Sequence, residues 1–170
     1  MTRARQLAKH LERTVTGPMW HGPALAEVLD RVTAERAVAH PVAGAHSIWE
    51  IVLHVIAWVD IARARLKGQS TGDPTPAQDW PPVPVADADA WARATKQLET
   101  SYRLLAADAR ELDDARLDAL VPNLDYSIAV LLHGVVEHGT YHGGQIALLK
   151  RALEGANLRP LGGASAVPTT

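Results

Sequence analysis

Cysteine is absent from this 170-residue chain. That excludes disulfide staples, thiolate metal ligands and any cysteine nucleophile, so chemistry on sulfur would need a thiol from outside the protein. Phenylalanine is absent too, and aromatic residues are only 5% of the chain, while 47% is apolar and dominated by alanine and leucine. Such a composition favours packed helices over sheet. Charge of one sign is also lacking: 17 basic residues are scattered among 19 acidic ones, for a net charge of -2. No electrostatic footprint for nucleic acid results. The start, MTRARQLAKHLER, has no apolar signal core, and no apolar run approaches membrane-spanning length. A cytoplasmic protein that binds neither membrane nor nucleic acid is the expectation. The length suits one domain with one core.

What is present reads as helices. Leu7 and Leu11 mark a first helix from about Arg3 to Arg13, stopped by the glycine and proline of VTGPMWHGP. A restart at Pro23, with Leu25, Val28, Leu29 and Val32 on one face, makes this a broken first element. Ser47 and Glu50 form a capping box that opens the next helix, which runs to about Lys67 with Gly68 behind it. Its apolar stripe is Ile48, Ile51, Val55, Trp58, Ala62 and Leu66.

A proline-rich connection from Gln69 to Ala86 follows, in which Trp80 suggests an anchored loop. A third long helix is predicted from Asp87 to about Leu112, with Trp91, Leu98, Tyr102 and Leu105 at helical spacing. The last begins near Asp125 or Ser127 and reaches Ala152 or beyond, with Lys150 and Arg151 placed in its last turn, where the helix dipole favours cations. These elements predict an all-α, up-down four-helix bundle over residues 1–158 and a flexible tail over 159–170.

Of eight histidines, His10, His21 and His40 fall at helix ends or in loops, His133 falls off the main stripe, and His46 precedes the capping box. His54 shares the core-facing stripe of the second long helix. On the last helix the inward stripe reads Ile128, Leu132, Val135, His138 or Gly139, His142, Gln145 and Leu149. Three buried imidazoles would each need a hydrogen-bond partner, and an unpartnered buried polar atom costs about 1–3 kcal/mol. One divalent cation satisfies three ring nitrogens together. Residues at i and i+4 share a helix face about 6 Å apart, so His138 and His142 can reach one ion, with His54 as third ligand from a facing helix. Such a set leaves a coordination position open.

Gly134, Gly139, Gly143 and Gly144 each cost the helix roughly 0.8–1.0 kcal/mol against alanine. Space for the ion, for its open position or for close helix approach would explain them. A peptidase of the HExxH type is excluded, because Gly139 follows the first histidine and Glu137 precedes it.

With WHGPALAEVLD, AHSIWEIVLHVIAW, DWP and LLHGVVEHGTYHGGQIALLK in place, the sequence resembles the DinB/YfiT-like superfamily of metal-binding four-helix bundles over most of its length. The resemblance implies a second-helix ligand at His54, an HxxxH pair at His138 and His142, a divalent ion such as zinc or nickel, and a homodimer. It also implies S-transfer or isomerisation of a small-molecule substrate with a low-molecular-weight thiol such as bacillithiol or mycothiol. The mycothiol-dependent branch often carries further C-terminal sequence, so this chain is expected to fall outside it. Trp58, Tyr141 and Gln145 are candidates for the pocket wall or for supporting the ligands. Metal-dependent hydrolysis and a non-catalytic metal-binding or sensor role stay open; a fourth protein ligand would mark the latter.

Overall fold

The computed structural model describes residues 1–69 and 72–158, so the tail expected over 159–170 lies outside the described residues. Its helices are α1 (Arg3–Thr16), α2 (Leu25–Leu29), α3 (Ala34–Ala37), α4 (Ile48–Leu66), α5 (Pro76–Asp79), α6 (Ala88–Arg110), α7 (Asp114–Asp118) and α8 (Ile128–Leu158). No strand forms among the described residues; two isolated bridges, Met19 with Gly22 and Leu120 with Ser127, are the only β pairing there. The chain is all-α, as its composition implies. None of these helices is long and apolar enough to cross a membrane.

The long helices surround one core. α1 packs on α6 and α8, and α4 packs on the same two. Leu11, Trp49, Leu98, Tyr102, Leu105, Leu132 and Ile146 are fully buried between them. The α4–α8 contact positions the site, because the stripe histidines lie on those two helices.

Side-chain caps set the starts. The Ser47 hydroxyl accepts from the Glu50 N–H at 3.2 Å, and the Glu50 carboxylate accepts from the Ser47 N–H at 2.6 Å. At α6, Asp87 accepts from the Ala90 N–H at 2.6 Å. Ser127 does the same for Val130 at 3.3 Å and opens α8.

Some boundaries differ from the periodicity. α1 runs on to Thr16, where Gly17 turns at a φ of 71° and donates its N–H to the Arg13 carbonyl at 2.8 Å. The restart comes at Leu25, two residues after Pro23, because the Glu27 carboxylate caps the Ala24 N–H at 2.7 Å. α5 and α7 lie in stretches read as loop. Each is a single capped turn, too short for periodicity to register; Thr75 with Gln78 caps the first, and Asp113 caps the second. α8 continues past Ala152, so Lys150 is not in its last turn. Its ammonium instead donates to the Val28 and Asp30 carbonyls, at 3.0 and 2.6 Å, at the end of α2.

The α8 glycines divide. A Cβ on Gly139 would lie 2.7 Å from the Thr14 methyl and closer still to the Tyr102 hydroxyl, so this glycine lets α8 approach α1 and α6. Gly143 faces Leu25 at ordinary contact distance, while Gly134 and Gly144 have nothing within 4 Å. Of the reasons the sequence offers for these glycines, close helix approach is the one that holds at Gly139, where protein fills the space a side chain would need.

Candidate metal centre

His54 on α4 meets His138 and His142 on α8. Their Nε2 atoms converge: His138 lies 3.0 Å from His54 and 3.1 Å from His142. These are the only group of three or more potential ligand residues gathered within 4.8 Å of one another among the described residues. His54 and His142 are buried, and His138 is half-buried.

The outer nitrogens decide which protons are available. His54 Nδ1 lies 2.8 Å from the Asp79 backbone carbonyl, which can only accept, so that nitrogen carries the proton. The Asp79 carboxylate, at 3.2 Å, acts in the same direction. His142 Nδ1 faces the Gln145 amide oxygen at 2.6 Å and carries its proton for the same reason. Both Nε2 atoms then present bare lone pairs to His138, whose own Nε2 can offer one proton to one of them. A cation among the three removes that conflict. Two nitrogens at about 2.0–2.1 Å on a tetrahedral ion stand roughly 3.3 Å apart, close to the separations found.

At His138 and His142 the surroundings favour the neutral imidazole, the form that ligation requires. Burial, with His142 and His54 beside it, pushes the His138 pKa down to about 4, against a smaller upward pull from Asp79. Burial also lowers that of His142, while the Gln145 hydrogen bond opposes the shift.

Supporting residues tie the histidines down. Asp79 ends α5 and uses two groups at once: its carbonyl orients His54, and its carboxylate accepts from the Trp58 indole N–H at 2.6 Å. Trp80 stacks on His54 with ring centroids 3.9 Å apart, and His46 stacks on the opposite face at 3.6 Å. Trp80 thus anchors its loop on the site. Trp58 lines the cavity beside His54, and Gln145 supports His142. Tyr141 is 65% exposed, with its ring 5.1 Å from that of His142, so it edges the outer cleft. Gln145 is half-buried, and Ile146 takes the fully inward position assigned to it from periodicity. His133 and Glu137 are exposed and stay outside the cluster.

Two hollows flank the imidazoles. One, of about 500 Å³, runs between α4 and α8 from His54 and His138 past Trp58 to Arg65 and Tyr126. The other, about 440 Å³, lies against His142, Gln145, Trp80 and His46. Both are mainly apolar.

Asp79, His46 and Arg65 were missed by sequence reasoning. Thr75, Pro76 and Gln78 do carry a helix-start signal, a capping box with proline at the first position. Reading it would have placed Asp79 at the end of a turn. Nothing in the sequence spacing brings His46 to Trp80.

Comparison with curated proteins and with solved structures finds no match. Residues 19–146 match the profile of the DinB superfamily, which spans most of the chain and includes all three clustered histidines. The chain belongs to the DinB superfamily.

Proposed function

We propose that this protein is a divalent-metal-dependent S-transferase in which His54, His138 and His142 hold one ion, zinc or nickel. A low-molecular-weight thiol such as bacillithiol supplies the sulfur, and the acceptor is a small electrophile. The observation that carries this reading is the convergence of the three Nε2 atoms beside a cavity of ligand size. Three protein ligands leave a position for a fourth from solvent or substrate, and imidazoles suit zinc and nickel alike. When bound, the ion would supply the positive charge that lowers the pKa of an incoming thiol.

The chain's own residues do the rest. Asp79 and Gln145 fix the tautomers of His54 and His142, the usual task of groups behind a metal ligand. Trp58 and Trp80 wall the site and limit water. Transfer forms a bond from sulfur to the electrophile; the leaving group departs with its electron pair, and the thiol proton passes to solvent.

Conjugation of a generic electrophile with bacillithiol, mycothiol, glutathione or coenzyme A tests the reading. Wild type should accelerate the reaction with one of them, and metal-stripped protein and His54→Ala should not. Metal-dependent ester or amide hydrolysis without thiol transfer would reassign the protein as a hydrolase. Inactivity in both assays would leave the non-catalytic metal-binding role.

A further inference from the structure

The larger cavity holds a charge that thiol transfer does not use. Arg65 lies on α4 eleven residues beyond His54, a rise of about 16 Å, with Trp58 and Ala62 along the wall between them. It is only 4% exposed. One terminal nitrogen donates to the Tyr126 hydroxyl at 3.0 Å and the other to the Gly72 carbonyl at 3.1 Å. Its Nε has no partner among the described residues.

Counterions are scarce there. Among the described residues, the one carboxylate within reach of Arg65 is Asp73, at 4.0 Å and with its side chain 98% exposed. A guanidinium has five N–H donors, and two are used by the bonds to Tyr126 and Gly72. Holding this loop accounts for those two; otherwise the charge meets only the Trp58 ring, with its centroid 5.7 Å from the guanidinium carbon, and the exposed Asp73 carboxylate at 4.0 Å. A buried cation with only a distant, solvent-exposed counterion is poorly compensated. Tyr126 accepts from Arg65, and no acceptor for its own proton is found among the described residues. The guanidinium and hydroxyl thus end a hollow whose other lining includes Ala62, Val130, Leu131 and Val135.

We infer that Arg65 and Tyr126 form a carboxylate-binding end of the substrate site, so that the protein takes an apolar organic acid. A single guanidinium matches a carboxylate monoanion, whereas a phosphate monoester would bring a second negative charge into an apolar hollow. The cavity, about 500 Å³, falls in the roughly 300–1,000 Å³ range of small-molecule sites. That the far end of the acid meets the reacting sulfur rests on the transferase reading; recognition of the carboxylate does not.

Calorimetric titration of the full chain, metal-loaded and metal-stripped, with octanoate, octanamide and octyl phosphate separates these points. Octanoate should bind at least about tenfold more tightly than octanamide, as a charge-assisted pair does over a neutral one. Arg65→Gln should abolish that preference without weakening octanamide, and Arg65→Lys should keep part of it. Circular dichroism and metal content confirm that each variant is folded. If Arg65→Gln does not fold, Tyr126→Phe carries the test and should weaken octanoate alone, by severalfold. Equal binding of acid and amide would overturn the inference. So would octanoate binding that disappears with the metal and ignores Arg65, because the carboxylate would then sit on the ion. Tighter binding of octyl phosphate would replace carboxylate by phosphate as the recognised group. Failure of thiol transfer with octanoate binding intact would refute the transferase reading alone.

Discussion

Trp80 lies flat on His54, with ring planes 10° from parallel, although 26 positions separate them in the chain. His46 covers the other indole face at 11°. The proline-rich connection is therefore fastened to the histidine-cluster side of the bundle, and one face of the His54 imidazole is sealed from water.

Removing that seal should speed metal loss. In Trp80→Ala, a chelator is expected to strip the ion about tenfold faster, at the low end of what supporting groups contribute, while the metal content at saturation stays unchanged. Stopped-flow measurement with a colorimetric chelator checks this, and an unchanged rate would show that the stack is structurally idle.

Purified protein is expected to hold about one divalent ion per chain, since three imidazoles make one site. His142→Ala should remove most of it and lower the unfolding temperature to that of stripped wild type. An ion at a hundred times its dissociation constant stabilises a fold by about 2.7 kcal/mol. Elemental analysis showing equal metal in both proteins would count against the site.

Acid should destabilise the stripped protein. The native His138 pKa, about 4, lies below the ordinary 6.5, so between those values the unfolded chain takes up a proton that the native state refuses. Stability is thus full above the unfolded value, falls as pH drops towards the native one, and levels off below it. One pKa unit corresponds to about 1.4 kcal/mol; with solvent reaching part of the ring, a loss on the order of 1–2 kcal/mol is expected. His142 shifts in the same direction. Urea midpoints at several pH values, compared with those of His138→Gln, isolate the effect; parallel curves would contradict it.

Two glycines on α8 should respond oppositely to alanine. Gly139→Ala drives a methyl group into Tyr102 and Thr14. Overpacking costs about 1–3 kcal/mol, more than the roughly 0.8–1.0 kcal/mol of helix propensity gained, and metal affinity should fall as the His138 turn is displaced. Gly144→Ala enters open space and should stabilise by up to about 1 kcal/mol. Thermal melts of the pair decide, and a stabilised Gly139→Ala would refute the close approach.

The histidine cluster was legible because a helix repeats. His138 and His142 share a face by spacing, and His54 replaces an apolar residue on its stripe. The capping box at Ser47 and Glu50 placed the start of α4 for the same local reason. Asp79 was not legible, since it orients His54 through a backbone carbonyl that any residue possesses. Its position depends on the four-residue α5, which has no stripe. Gly139 was legible as unusual, but the reason is Tyr102, a residue of a different helix. Arg65 sits on the buried side of α4 near its end, and only the packing of Tyr126 against it shows that it faces a cavity.

Every side chain at the imidazole cluster and its two hollows comes from α4, α8 or the segments joining the long helices; α1 and α6 supply none. The molecule is thus split into a half that carries the imidazole cluster and a half that braces it, in contact with each other at points such as Gly139 against Thr14 and Tyr102. A change on the outer faces of α1 or α6 can alter how long the protein survives heating without touching the imidazole cluster. The hollows beside the imidazoles can in turn be reshaped from α4 and α8 while the brace is left untouched.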